Sequence, residues 1–132
     1  MKNQSLPTCV LRFETLARYR SVTVLVDIDE IAQFRESSVL LSGFTRKELD
    51  LVNSRAKGIH SLAARYAAKQ GAQALSALSW TEFEVIRPTD CPPILCLKNQ
   101  GPDSLSQYFT LSLSHDEPYA VAYLIELEKY QD

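Results

Sequence analysis

The chain has 132 residues, enough for one domain with a real core and too few for two. Its content of 45% hydrophobic and 23% charged residues argues against disorder, and a net charge of −2 without a basic block argues against non-specific nucleic-acid binding. No apolar run approaches the ~18 residues of a membrane span and no signal-peptide stretch opens the chain, so a cytoplasmic protein without a membrane partner is expected.

The first twenty residues read as an N-terminal extension of unclear structure, broken at Pro7, in which residues 9–19 suit either a strand or a helix. Residues 21–28 are β-branched and apolar almost throughout and predict a buried strand that leaves the core at Asp27 and Asp29. Ile28, Ile31 and Phe34 then recur at three-residue spacing, which predicts a short helix over 28–37.

Thr45-Arg46-Lys47-Glu48 has the form of a capping box, in which the threonine hydroxyl takes a free helix N–H and the glutamate reaches back to the cap. It predicts a helix to about residue 53. A long helix follows over 57–78, with Ile59, Leu62, Ala63, Tyr66, Ala67, Ala74, Ala77 and Leu78 on an apolar stripe. Gln70 falls on that stripe and should face inward, whereas Arg65 and Lys69 share a neighbouring face.

Beyond Trp80 the pattern becomes strand-like at 83–86 and 94–97, either side of a proline-rich turn. Residues 108–114 alternate apolar and polar, and 119–128 form a second strand after the turn His115-Asp116-Glu117-Pro118. A strand, then helices, then antiparallel strands is an α+β order, with one long helix packed on a mainly antiparallel sheet.

Three cysteines, Cys9, Cys91 and Cys96, have neither framework nor zinc spacing, and only two histidines could help them. They read as structural and reduced. Ser112, Ser114 and His115 lack a nucleophile elbow, and no glycine-rich phosphate loop occurs, so a bound nucleotide would be held by side chains and metal.

Asp27 and Asp29, two apart, suit a hard cation such as magnesium, but the bare pattern more commonly marks a solvated strand end before a helix N-terminus. Arg65 and Lys69 suit phosphates, or an exposed helix face. His115 suits a phosphate, or an ordinary turn.

Taken together, Val26-Asp27-Ile28, Phe44-Thr45-Arg46-Lys47-Glu48-Leu49, Leu62-Ala63-Ala64-Arg65-Tyr66-Ala67-Ala68-Lys69, and Leu111-Ser112-Leu113-Ser114-His115 through Tyr119-Ala120-Val121-Ala122 resemble the holo-acyl-carrier-protein synthases. These are the small 4′-phosphopantetheinyl transferases. Trp80-Thr81-Glu82-Phe83-Glu84-Val85 and the turn at Pro92-Pro93 also fit, and the match spans residues 22–126 within a domain of 21–132.

The resemblance implies transfer of phosphopantetheine from coenzyme A to a serine of an apo acyl carrier protein, with magnesium, in a homotrimer whose sites lie between subunits. Asp27 matches the metal-binding aspartate, and Arg65, Lys69 and His115, with Ser114 beside it, match positions near coenzyme A phosphates. Gln70 stands where the family has its second metal ligand, a glutamate, and Ala74 where a lysine is expected. Asp29 has the spacing of the second acid in the larger two-lobed transferases, which makes Asp27, Asp29 and Gln70 the expected metal set.

Two functions follow from those departures. One is an active transferase serving a specialised pathway. The other is a catalytically degraded relative that binds a carrier protein or sits in a mixed trimer.

Overall fold

The computed structural model describes residues 5–54, 56–88 and 90–130, with strands and helices in the order β1 (Cys9–Leu16), β2 (Tyr19–Asp27), α1 (Ile28–Gln33), α2 (Ser38–Leu41), α3 (Arg46–Asn53), α4 (Gly58–Ser76), β3 (Phe83–Ile86), β4 (Ile94–Leu97), β5 (Phe109–Asp116) and β6 (Tyr119–Glu126). The fold is α+β. Four strands form an antiparallel sheet in the order β1-β2-β6-β5, and β3 and β4 pair as a separate antiparallel hairpin.

Segment 9–19 resolves as strand: Cys9 to Leu16 pairs with β2 around a two-residue turn at Ala17-Arg18. In β2, Val22, Val24 and Val26 are essentially fully buried on one face, opposite Leu124, Ala122 and Ala120 of β6. Each such valine contributes about 1.5–3 kcal/mol of burial. The expected helix over 28–37 forms only over Ile28–Gln33, because Phe34 ends it; α2 is a separate helix beyond that span, capped by the Ser37 hydroxyl, which accepts from the Leu40 N–H.

The capping box at Thr45 forms as expected, with Thr45 and Glu48 satisfying each other's backbone N–H. Helix α4 stops where Ala77 turns left-handed at φ 68° and donates its N–H to Gln73 O. Every residue from Leu62 to Lys69 is buried, because the four-stranded sheet packs on one side of α4 and α1, α3 and β3 pack around the rest. The stripe read from the sequence is therefore narrower than the buried surface around Leu62–Lys69 and overruns the helix at Ala77, which is exposed; Gln70, expected to face inward, is only half-buried.

Gly71 explains why a helix former is missing there. A Cβ at that position would lie 2.6 Å from Leu124 Cδ1 and 3.0 Å from Val24 Cγ2. The glycine lets α4 settle onto the centre of the sheet.

In the second hairpin, His115 and Asp116 still pair with Ala120 and Tyr119, so the turn shrinks to Glu117-Pro118. All three cysteines are free; burial pushes the Cys96 thiol up to about 11 and also raises Cys9. No helix among the described residues is long and apolar enough to cross a membrane.

Candidate functional site

Asp27 is the last residue of β2 and the N-cap of α1. Its Oδ1 accepts from the backbone N–H of Asp29 at 2.9 Å and of Glu30 at 3.3 Å, which satisfies two orphan donors of the helix. Asp29 lies in the first turn of α1, where its charge suits the helix dipole, so the two acids are not alternate residues of one strand. Both are exposed, and the neighbouring Glu30 accepts the Thr8 hydroxyl at 2.8 and 2.9 Å.

Lys69 sits in a different environment from the one its spacing suggested. Its ammonium is 0% exposed, 2.6 Å from Glu48 Oε1 and 2.8 Å from Gly43 O, with the Phe44 ring 4.2 Å away. Burial pushes its pKa down to about 8 against the opposing pull of Glu48. Glu48 also accepts the Val85 N–H at 2.9 Å and the Thr45 N–H at 3.0 Å, and Arg65 Nε lies 3.9 Å from its Oε2. One buried carboxylate thus ties α3, α4 and β3 together, and Lys69 serves that knot.

Arg65, one turn earlier on α4, reaches a cavity of about 440 Å³. Lys57, His60 and Ser61 from the start of α4, Arg87 from the end of β3, and Ser114 and His115 from β5 complete its polar walls. Arg65 is 4% exposed and its guanidinium donates to the Ser61 hydroxyl. The His60 and His115 rings lie 5.1 Å apart, and His60 Nε2 is 2.5 Å from the Glu117 carboxylate. That hydrogen bond holds Glu117 below the usual carboxylate range.

Among the described residues, three fixed cations, two imidazoles and two hydroxyls line this space without a carboxylate, and Glu117 meets it through His60. Such walls suit an anion with several oxygens, above all a phosphate, which arginine can meet with two parallel N–H groups. The residues singled out in the sequence divide between two places: Arg65, Ser114 and His115 share the cavity, whereas Asp27, Asp29, Lys69 and Gln70 are not among its walls.

Sequence reasoning passed over Lys57, His60 and Arg87. Lys57, Ser61, Arg65 and Lys69 stand four apart, a polar stripe that was legible on one helix. Arg87 had no such signal; the path of β3 brings it there.

Among the described residues, no three His, Cys, Asp or Glu side chains converge on a metal position. The residues expected to hold magnesium nonetheless carry hard oxygen donors: the carboxylates of Asp27 and Asp29 and the Gln70 amide. Both cap bonds of Asp27 fall on Oδ1, leaving Oδ2 for a cation. Magnesium usually takes one or two carboxylates and completes its shell with phosphate and water, so the donor chemistry fits.

No family model matches the chain. The holo-[acyl-carrier-protein] synthase of Streptomyces avermitilis is 36% identical over 117 residues, spanning 79% of this chain and 95% of that protein. The holo-[acyl-carrier-protein] synthase of Chloroherpeton thalassium is 30% identical over 112 residues, spanning 76% and 93%. Among solved structures, the ACPS–CoA complex of Chronobacterium ammoniagenes superposes with a TM-score of 0.65 at 24% identity, covering 86% of this chain and 98% of that one. At that identity the superposition carries the fold alone.

Proposed function

This chain belongs to the holo-acyl-carrier-protein synthase family of transferases, and from that premise we propose that it moves phosphopantetheine from coenzyme A to a serine of an apo acyl carrier protein. The observation that carries the reading is the cavity walled by Lys57, Arg65, Arg87, His60 and His115. Coenzyme A is an anion with several phosphates, and the described walls offer it Lys57, Arg65 and Arg87.

In the proposed reaction the serine oxygen forms a bond to the phosphorus that carries pantetheine. The bond from that phosphorus to the bridging oxygen breaks, and adenosine 3′,5′-bisphosphate leaves with the electron pair. Arg65, Ser114 and His115 hold phosphate oxygens, and fixed positive charge there favours the transition state over the ground state. Lys69 acts as a positioning residue, since its ammonium bonds to Glu48 and Gly43 and through Glu48 it supports Arg65.

Asp27 and Asp29 are the proposed magnesium ligands, with Gln70 as a neutral third. When bound, the ion would neutralise charge on the phosphate oxygens. Gln70 cannot accept the serine proton, so Asp27 is the proposed acceptor.

The proposed domain is 21–132, with β1 as an added edge strand. A homotrimer is the proposed assembly. Leu25, Val121, Tyr123 and Ile125 stand half-buried on the sheet face turned away from α4, where a neighbouring subunit would cover them. The proposed setting is the cytoplasm and a specialised pathway.

A second reading rests on Gln70: a degraded relative that binds carrier protein or completes a mixed trimer. The experiment is to incubate the protein with coenzyme A, magnesium and apo carrier proteins and weigh the carriers. A phosphopantetheine mass gain supports the transferase. No gain with any carrier, restored by Gln70→Glu, supports the degraded relative.

A further inference from the structure

Three of the large hydrophobic side chains left open to solvent lie on one strand: Val10 is 64%, Phe13 56% and Leu16 75% exposed, all in β1. That strand borders only β2 among the described residues, so its outer edge carries unpaired backbone groups. Edge strands of this kind are usually blunted by a bulge, a proline or a run of charge, because they are templates for another strand. Here the sequence from Cys9 to Leu16 contains no proline, and its two charges, Arg12 and Glu14, sit symmetrically about Phe13.

We propose that β1 pairs antiparallel with β1 of a second copy of this chain across a two-fold axis at Phe13, joining the two sheets edge to edge. Three features of the strand meet in that register. Arg12 faces Glu14 of the second copy, and Glu14 faces its Arg12. Val10 faces Leu16, and Leu16 faces Val10. Phe13 faces itself. Val10, Arg12, Glu14 and Leu16 alternate onto one face of the strand, so the charged and the aliphatic pairs each join side chains on the same side of the extended sheet.

The backbone agrees with the register. Leu16 and Tyr19 close the two-residue hairpin as a hydrogen-bonded pair, so the residues paired to β2 through backbone bonds are Leu16, Glu14, Arg12 and Val10. The N–H and C=O groups of Leu11, Phe13 and Thr15 therefore point outward. A two-fold at Phe13 joins Phe13 to Phe13 and Leu11 to Thr15 through those groups. It leaves Arg12–Glu14 and Val10–Leu16 as the non-hydrogen-bonded pairs, where side chains come closest.

Within one chain Arg12 and Glu14 lie opposite the neutral Thr23 and Ser21, so exchanging their charges leaves the internal pairing unchanged. The unpaired backbone groups lie along the strand edge, whereas Val10, Arg12, Glu14 and Leu16 share the sheet face of Leu25, Val121, Tyr123 and Ile125, so the edge pairing borders the surface proposed to be covered in the trimer.

The test is the mass of the full-length protein by sedimentation velocity across micromolar concentrations, for wild type, Arg12→Glu, Glu14→Arg and the double exchange. Each single exchange sets like charges opposite each other twice and should weaken the two-fold contact by about tenfold, halving the mass at low concentration. The double exchange should restore it, because opposite charges would again face each other across the axis with the two positions swapped. Hydrogen exchange supplies a second measure in wild type alone: the amides of Leu11, Phe13 and Thr15 should gain protection with rising concentration. A mass insensitive to all three variants, or outward amides unprotected at every concentration, overturns the proposal. So would a trimer whose mass the single exchanges do not alter, which would place the only contact on the sheet face.

Discussion

Glu48 and Lys69 form an enclosed ion pair, Nζ to Oε1 2.6 Å, with side chains 2% and 0% exposed. The carboxylate also serves two backbone N–H groups, from Val85 and from the Thr45 cap. Removing the lysine strands a buried negative charge, which typically costs 3–5 kcal/mol. Lys69→Met should therefore lose about 3 kcal/mol in urea unfolding. Its coenzyme A affinity, measured calorimetrically on the folded fraction, should fall less than that of Arg65→Ala, because Lys69 is not among the walls of the cavity and acts on Arg65 through Glu48.

The same pair predicts a pH dependence. Burial lowers the Lys69 pKa from 10.5 to about 8, so between those values the unfolded chain binds the proton that the folded chain has released. This group makes stability rise with pH across that window, by up to ~1.4 kcal/mol per unit. Cys96, raised from 9.0 to about 11, works in the opposite direction above pH 9. The rise is thus cleanest between pH 8 and 9, and as a difference between wild type and Lys69→Met. Equal slopes in both proteins would refute it.

His60 lowers the pKa of Glu117 chiefly by hydrogen bonding to its carboxylate. His60→Ala should return the Glu117 carboxyl to the ordinary glutamate range, upward from its present value. Carbon chemical shifts followed through an acid titration would read the change directly.

Arg65 and His115 lie on different elements but line one cavity. A charge-assisted hydrogen bond contributes about 1.5–3 kcal/mol, or roughly 10- to 100-fold in affinity. Arg65→Ala and His115→Ala should each weaken coenzyme A binding by about that factor in calorimetry. Unaltered affinity in both would remove the cavity from consideration as the coenzyme A site.

Gly71→Ala should destabilise the protein, although alanine is the better helix former by ~1 kcal/mol. The added methyl would approach Leu124 Cδ1 at 2.6 Å and Val24 Cγ2 at 3.0 Å, so the buried Leu124 side chain, α4 or the sheet must shift. Overpacking of this kind costs about 1–3 kcal/mol. A raised thermal midpoint would contradict the argument.

The fold was largely legible because period and punctuation agree with it. The β-branched run ending at Asp27, the capping box at Thr45 and the hairpin around Glu117-Pro118 each carry a local signal that their surroundings reinforce. Segment 9–19 was ambiguous because β1 packs little of itself into the core, so its apolar residues show no clean alternation.

The site was legible only in part, for a related reason. Lys69 looks like a surface cation until α3 delivers Glu48 to it, 21 positions away in sequence. Arg87 joins the cavity only because β3 ends beside α4. Charges gathered from separate elements leave no spacing to read.

The pairing of Arg20 with Glu126 at 2.9 Å bridges 106 positions of chain. The β1–β2 and β5–β6 hairpins are local and can form early, but the central β2–β6 ladder waits on β6, which follows β2 by about a hundred residues. Folding is therefore governed by the closure of a loop that contains α4 and most of the core, the kind of topology that folds slowly for its size. On the ribosome, the valines of β2 remain uncovered by their ladder partner until β6 has emerged.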